Sequence, residues 1–171
     1  MKNTWLIGIV GVVAVAVAAA ALLGDSGTSD GKSDLSRLSA VSLIDYGGAT
    51  VSLGSFEGTP LVVNAWAVWC PFCRAELPDF AALQEAFPDD ITVIAIDRAE
   101  SLEKAKGYTD ELGISDKMVF LLDPKDDFYK EIGGFSMPET IFVDEAGNIV
   151  FHKRGPLTLE EMKSAVVQHL K

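Results

Sequence analysis

Cys70 and Cys73 are the only cysteines in a chain of 171 residues, and just two residues stand between them. A pair this close cannot close a loop long enough to stabilise the fold, so its spacing offers thiol–disulfide chemistry or half of a metal site. It lies in the run Trp66-Ala67-Val68-Trp69-Cys70-Pro71-Phe72-Cys73, where an apolar strand passes into a helix. At that helix's first turn Cys70 meets unpaired backbone N–H groups and the positive end of the dipole, which favour thiolate over thiol. Cys70 is therefore expected to be the exposed nucleophile. Cys73 falls on nearly the same helical face, near enough to attack a mixed disulfide at Cys70 and so act as the resolving thiol. Pro71 suits the first turn, where its missing N–H is no loss and its fixed φ helps preorganise the pair.

Two other readings compete. A Cys-x-x-Cys supplies half of many zinc sites, but the chain has no second pair, and its only histidines are His152 and His169, both expected at the surface. A closed four-ligand site would need added carboxylates. An inert structural disulfide would explain neither the strand-to-helix placement nor the tryptophans around it. No metal site is expected. A second element is Ser136-Met137-Pro138-Glu139-Thr140: if the Met137–Pro138 bond is cis, the turn leaves the Met137 backbone free to pair with an extended substrate beside Cys70.

The elements that must hold these residues are legible from periodicity. Val41–Tyr46 and Ala49–Leu53 flank Gly47-Gly48 as an N-terminal hairpin. Leu61–Trp66 and Ile91–Ile96 are nearly continuous apolar runs, as in strands covered on both faces. Between them Leu77, Phe80, Leu83 and Phe87 recur at helical spacing, with Pro78 expected to kink the helix. A second helix, over Leu102–Leu112, has Ser101 as N-cap and Leu102, Ala105, Tyr108 and Leu112 on one face. A strand over Met118–Leu122, a short helix near Asp126–Ile132 and a hairpin of Thr140–Val143 with Ile149–Phe151 follow. Thr158 and Glu161 form a capping box for a last helix with the stripe Leu159, Met162, Val166 and Leu170. The class is α/β, a central mixed sheet flanked by helices.

Outside this domain of residues 36–171 lie a linker and an apolar leader. Trp5–Leu23 is nineteen residues without a charge, nearly enough to cross a bilayer as a helix. It reads as a membrane anchor within residues 1–23; the alternative is a signal segment, with Ala16-Val17-Ala18 at a cleavage spacing. Lys2 before it and Asp25, Asp30 and Asp34 after it place the bulk of the protein outside the cytoplasm. Residues 24–35 read as a flexible tether. The chain is 49% apolar, with 14 basic and 25 acidic residues and a net charge of −11, a balance that excludes long-range attraction to nucleic acid.

With these motifs in place, residues 38–170 resemble a thioredoxin-like fold domain, and more narrowly the membrane-anchored TlpA/ResA/CcmG (DsbE) family of thiol–disulfide oxidoreductases. The likeness runs through Asn64-Ala65-Trp66-Ala67-Val68-Trp69-Cys70-Pro71-Phe72-Cys73-Arg74-Ala75-Glu76-Leu77-Pro78 and Met137-Pro138-Glu139-Thr140. It implies a cis bond at Pro138 and a central helix–strand insertion over residues 101–122. Thioredoxin has a buried aspartate where this chain has Asn64, which cannot accept a proton; the resemblance moves that acid–base role to Glu76, one turn after Cys73, against the alternative of a solvated glutamate that merely favours the dipole.

The resemblance thus implies an extracytoplasmic protein-disulfide reductase on the cytoplasmic membrane, with Cys70, Cys73 and Glu76 catalytic and no bound cofactor. Trp69, Pro71, Phe72, Met137 and Pro138 would meet the substrate, with Trp66 also in an apolar rim. The partners implied are protein disulfides, among them apocytochrome c or copper-site thiol pairs, and an integral-membrane thiol donor. Glu139 departs from the family pattern: it would set a carboxylate near the groove and oppose ionisation of Cys70, or else point to solvent. Pro71-Phe72 carries no cation to stabilise the thiolate, which favours a reductant. The alternatives are a disulfide-donating oxidase and a non-enzymatic copper-binding module.

Overall fold

A computed structural model describes residues 33–171. The expected anchor Trp5–Leu23 lies outside that range. Among the described residues no helix is long and apolar enough to cross a membrane.

Helix α1 (Asp34–Leu38) precedes the hairpin β1 (Leu43–Asp45) and β2 (Thr50–Val51), a 3-10 turn (Leu53–Phe56) and β3 (Leu61–Trp66). The order continues with α2 (Pro71–Ala86), β4 (Thr92–Arg98), α3 (Leu102–Glu111), β5 (Val119–Asp123), α4 (Asp127–Glu131), β6 (Glu139–Val143), β7 (Ile149–Arg154) and α5 (Leu159–His169). The strands make one mixed sheet in the order β2-β1-β5-β4-β3-β6-β7. Its parallel pairs are β3 with β4 and β4 with β5, joined by the crossover helices α2 and α3. This is the expected α/β arrangement, with the insertion present as α3 and β5.

β3 is central and every one of its residues is buried. Its alternation divides the core: Leu61, Val63 and Ala65 face one layer with Leu35, Leu38 and Phe128, while Val62 faces Phe80, Leu83, Met162 and Val166 of α2 and α5. Trp66 shares that second face and joins Cys70, Cys73, Leu77, Ala105 and Phe120. Asn64 lies between Val62 and Trp66 on the face that α2 covers.

Two local expectations change. Two residues assigned to the tether, Asp34 and Leu35, belong to α1. Ser33 Oγ caps that helix by accepting the Ser36 amide at 3.2 Å, Asp34 accepts the Ile149 amide at 2.9 Å, and Leu35 is buried. Gly147 (φ +84°) sits beneath it, where a Cβ would come within 2.9 Å of Ser33 Oγ, so only glycine lets α1 dock. On α3 the buried positions are Ala105 and Thr109, whereas Leu102 and Leu112 are exposed. Thr109 can be buried because its hydroxyl bonds the Lys106 carbonyl at 3.1 Å and Ser115 Oγ at 2.7 Å. α2 runs without interruption through Pro78.

Candidate active site

Cys70 is the N-cap of α2 and Pro71 its first residue. The two cysteines are joined as a disulfide with Cα atoms 5.3 Å apart, and Cys70 Sγ accepts the Cys73 amide at 3.1 Å. One of the orphan N–H groups of the helix is thus aimed at the first sulfur, where it would stabilise negative charge. Cys70 is not exposed as expected: 2% of its surface is accessible, and none of that of Cys73. The sulfurs are turned inward against Trp66 and Leu77, and Met137 packs over the same cluster.

The expected rim divides. Trp66 is wholly buried and belongs to the core beneath the pair, whereas Trp69 is 58% and Phe72 63% exposed. Pro71 is exposed, Met137 half-buried and Pro138 buried, and the Met137–Pro138 bond is cis. Phe135, absent from the sequence-based set, is the most exposed large apolar residue among the described residues at 86%. Its signal was available: an aromatic placed in a Gly-Gly-Phe-Ser loop, where nothing local can bury it.

Glu76 lies one turn inside α2 with 3% exposure, so it is not a solvated first-turn glutamate. Oε1 accepts Asn64 Nδ2 at 3.0 Å, and Oε2 accepts the Leu157 amide at 3.0 Å. Burial pushes its carboxyl up to about 7, against the opposing pull of those two hydrogen bonds. Asn64 Nδ2 also reaches Thr140 Oγ1 at 3.1 Å and the Glu139 carbonyl at 3.5 Å. One amide group therefore ties the carboxyl behind the thiols to the strand that follows Pro138.

Glu139 points neither to the groove nor to solvent. Its side chain is completely buried, and Oε1 accepts the Phe135 and Ser136 amides, each at 2.6 Å. Oε2 lies 2.7 Å from His152 Nε2, and Arg154 Nε stands 3.7 Å from Oε1. Burial alone would raise this carboxyl; the two amides and His152 outweigh it and hold the group below its ordinary value. The same loop is secured from its other side, since Tyr129 donates to the Ser136 carbonyl at 2.7 Å. His152 is thus a half-buried partner rather than a surface residue, and His169 stacks on Phe151 with ring centroids 4.8 Å apart. Among the described residues no group of three or more His, Cys, Asp and Glu side chains is placed to hold a metal ion.

The Redoxin family model matches residues 33–170. Over 109 residues the chain is 28% identical to sporulation thiol-disulfide oxidoreductase A of Bacillus subtilis, covering 63% of this chain and 66% of the relative. It is 33% identical over 102 residues to the thiol:disulfide interchange protein HelX of Rhodobacter capsulatus, covering 60% and 56%. The chain thus spans somewhat less than two thirds of each of these relatives. A solved thiol:disulfide interchange protein of the thioredoxin family from Chlorobium tepidum superposes with a TM-score of 0.66 at 26% identity, over 76% of this chain and 92% of its own.

Proposed function

This chain belongs to the Redoxin family, and from that premise we propose that it is a thiol–disulfide oxidoreductase working as a protein-disulfide reductase. In the reduced state the Cys70 thiolate attacks one sulfur of a substrate disulfide; that bond breaks, a Cys70–substrate disulfide forms, and the departing substrate sulfur takes up a proton. Cys73 then passes its proton to Glu76 and attacks Cys70 Sγ. The mixed disulfide breaks, the second substrate sulfur leaves and takes up a proton as Glu76 gives its own back, and the Cys70–Cys73 bond is restored. Two electrons have moved to the substrate. A thiol donor in the membrane returns two electrons to the pair.

The observation that carries this reading is the pairing of a helix-capping sulfur with a buried carboxyl on the same helix. The Cys73 amide stands 3.1 Å from Cys70 Sγ, and Glu76, pushed up to about 7, is poised to take and return a proton near neutrality. Trp69, Pro71, Phe72, Met137 and Pro138 are the contact residues proposed for the substrate chain, with Met137 packed against the cysteine cluster. The apolar leader supports tethering to the cytoplasmic membrane with the domain outside the cytoplasm. The substrates proposed are cysteine pairs of apocytochrome c or of copper-site proteins.

The reduction potential of the Cys70–Cys73 pair, measured against glutathione together with insulin reduction, tests the direction. A potential below about −220 mV with insulin turnover supports a reductant, and one near about −120 mV makes the protein an oxidant. Stoichiometric Cu(I) binding without any disulfide turnover would make it a copper module instead.

A further inference from the structure

Behind the tryptophan loop lies a second pair of carboxyl groups that the exchange reaction does not use. Asp97, near the end of β4, is level with Trp66 of β3, and its side chain is completely buried. Asp97 Oδ1 accepts the Glu100 amide at 3.2 Å, while Oδ2 has no hydrogen-bond partner. The Glu100 side chain, 6% exposed, turns back towards the same place. Its Oε2 accepts the Val68 amide at 2.6 Å. Its Oε1 lies beside Lys104 Nζ yet makes no hydrogen bond.

Each carboxyl group thus keeps one buried oxygen without a hydrogen-bond partner, on residues that the Glu100 amide already ties together. Ionised together, they would set two like charges side by side out of water, with no donor between them. One proton removes the repulsion and supplies the donor that the contact lacks. We propose that Asp97 and Glu100 share one proton, which holds Glu100 against the Val68 amide and so positions the Ala67–Trp69 loop that delivers Cys70 to its helix.

The surroundings agree with a single negative charge on the pair. Lys104 of α3 is the facing cation. Tyr46, after β1, faces the site as a neutral hydroxyl, held up to about 12 by burial first and by the Asp97 and Asp110 charges after it. From α2, Arg74 is engaged over the Tyr108 ring, and Arg98 on β4 is taken by Asp126 at 2.6 Å. Burial, with the Glu100 carboxyl adding to it and Lys104 opposing, pushes Asp97 up to about 8. Above that pH the second proton-free carboxylate repels Glu100, and its grip on the Val68 amide loosens. Asp97 and Glu100 are positioning residues: neither touches a sulfur.

The inference rests on the thiol–disulfide reading for its consequence alone, because the carboxyl pair itself carries no electrons. The test follows the assigned Val68 amide resonance of the full-length oxidised chain in detergent from neutral to alkaline pH. In this form no thiol titrates. One step centred near pH 8 is expected, and Glu76→Gln should leave it in place. Asp97→Asn should abolish it, since the asparagine Nδ2 donates to Glu100 at every pH. Glu100→Gln should abolish it too, its amide still accepting from Val68 while donating to Asp97. A flat wild-type resonance, a step that survives both substitutions, or one that disappears with Glu76→Gln overturns the proposal. The oxidised protein exchanges nothing during the measurement, so a protein that fails as a reductase would still show the step, and an active reductase without it would sink only the shared proton.

Discussion

Asn64 Nδ2 donates to Glu76 Oε1 across 3.0 Å, so the central strand of the sheet fixes the orientation of a carboxyl that helix α2 carries inward behind the thiols. The asparagine amide offers Glu76 a donor and takes up no proton itself. Burial still dominates, because Glu76 rises from 4.5 to about 7 in spite of both its hydrogen bonds.

That rise links stability to pH. The folded protein holds the Glu76 proton more tightly than the unfolded chain, so its contribution to stability falls as pH climbs from about 4.5 to about 7 and is level above that. A shift of this size corresponds to about 3 kcal/mol. Glu76→Gln should remove the part of the slope that Glu76 contributes, leaving that of Asp97. Urea unfolding at pH 5 and pH 8 measures it: the wild-type difference between the two should shrink by an amount of that order in the variant. The pH–rate profile for substrate reduction should lose its inflection near pH 7 in the same variant.

The order of attack is open to trapping. Cys73→Ser leaves the capping sulfur able to form a mixed disulfide that nothing resolves, so covalent complexes with partner proteins should accumulate and be released by dithiothreitol. Cys70→Ser should form none and should abolish turnover. Complexes that appear with Cys70→Ser in place of Cys73→Ser would reverse the assigned roles. Partners recovered without a cysteine pair would remove the substrate class.

Trp69 and Phe72 flank or separate the two cysteines in the chain and Phe135 lies in the loop before Pro138; all three are exposed, while Cys70 and Cys73 have almost no exposure of their own. A protein substrate must meet the rings to reach the disulfide, while a small dithiol need not. Each truncation to alanine should therefore raise KM for a protein disulfide about five- to ten-fold, the equivalent of about 1 kcal/mol of contact. The rate with a small-molecule disulfide should stay within about two-fold. Equal losses with both substrates would mean that the rings serve packing.

Much of this was written locally. The Cys-Pro-Phe-Cys turn, the Thr158–Glu161 capping box and the apolar runs of β3 and β4 depend on neighbours in sequence, and each stands where spacing put it. What spacing could not tell was direction. Trp66 and Trp69 are three residues apart and equally apolar, yet one is core and the other surface, because the strand ends between them. Sequence alone sets Glu139 near the groove or in solvent and does not mark Asp97, since burying a carboxylate is costly without partners. Their partners, a loop amide pair and a second carboxyl, lie only three or four residues away, but irregular turns rather than a repeating period aim them there.

Glu139 allows the last expectation to be argued with the opposite sign from Glu76. Its carboxylate holds the Phe135 and Ser136 amides and meets His152, and its folded value lies below the ordinary one. The stability it contributes is therefore present above the unfolded value and is lost as pH falls through the folded one. Glu139→Ala would strand two amide donors at once, at about 1–3 kcal/mol for each group left unsatisfied. Glu139→Gln keeps a carbonyl oxygen for both amides, losing only the charge and the oxygen that faces His152, and should cost less. Because the tethered loop is the one that displays Phe135, the alanine variant should also raise KM for protein disulfides while sparing small ones. Urea unfolding at pH 7 and in mild acid separates the two effects. The wild type should lose stability on acidification, and Glu139→Ala, already deprived of the carboxylate, should lose less. An equal loss in both would show that the charge on Glu139 does not hold the loop.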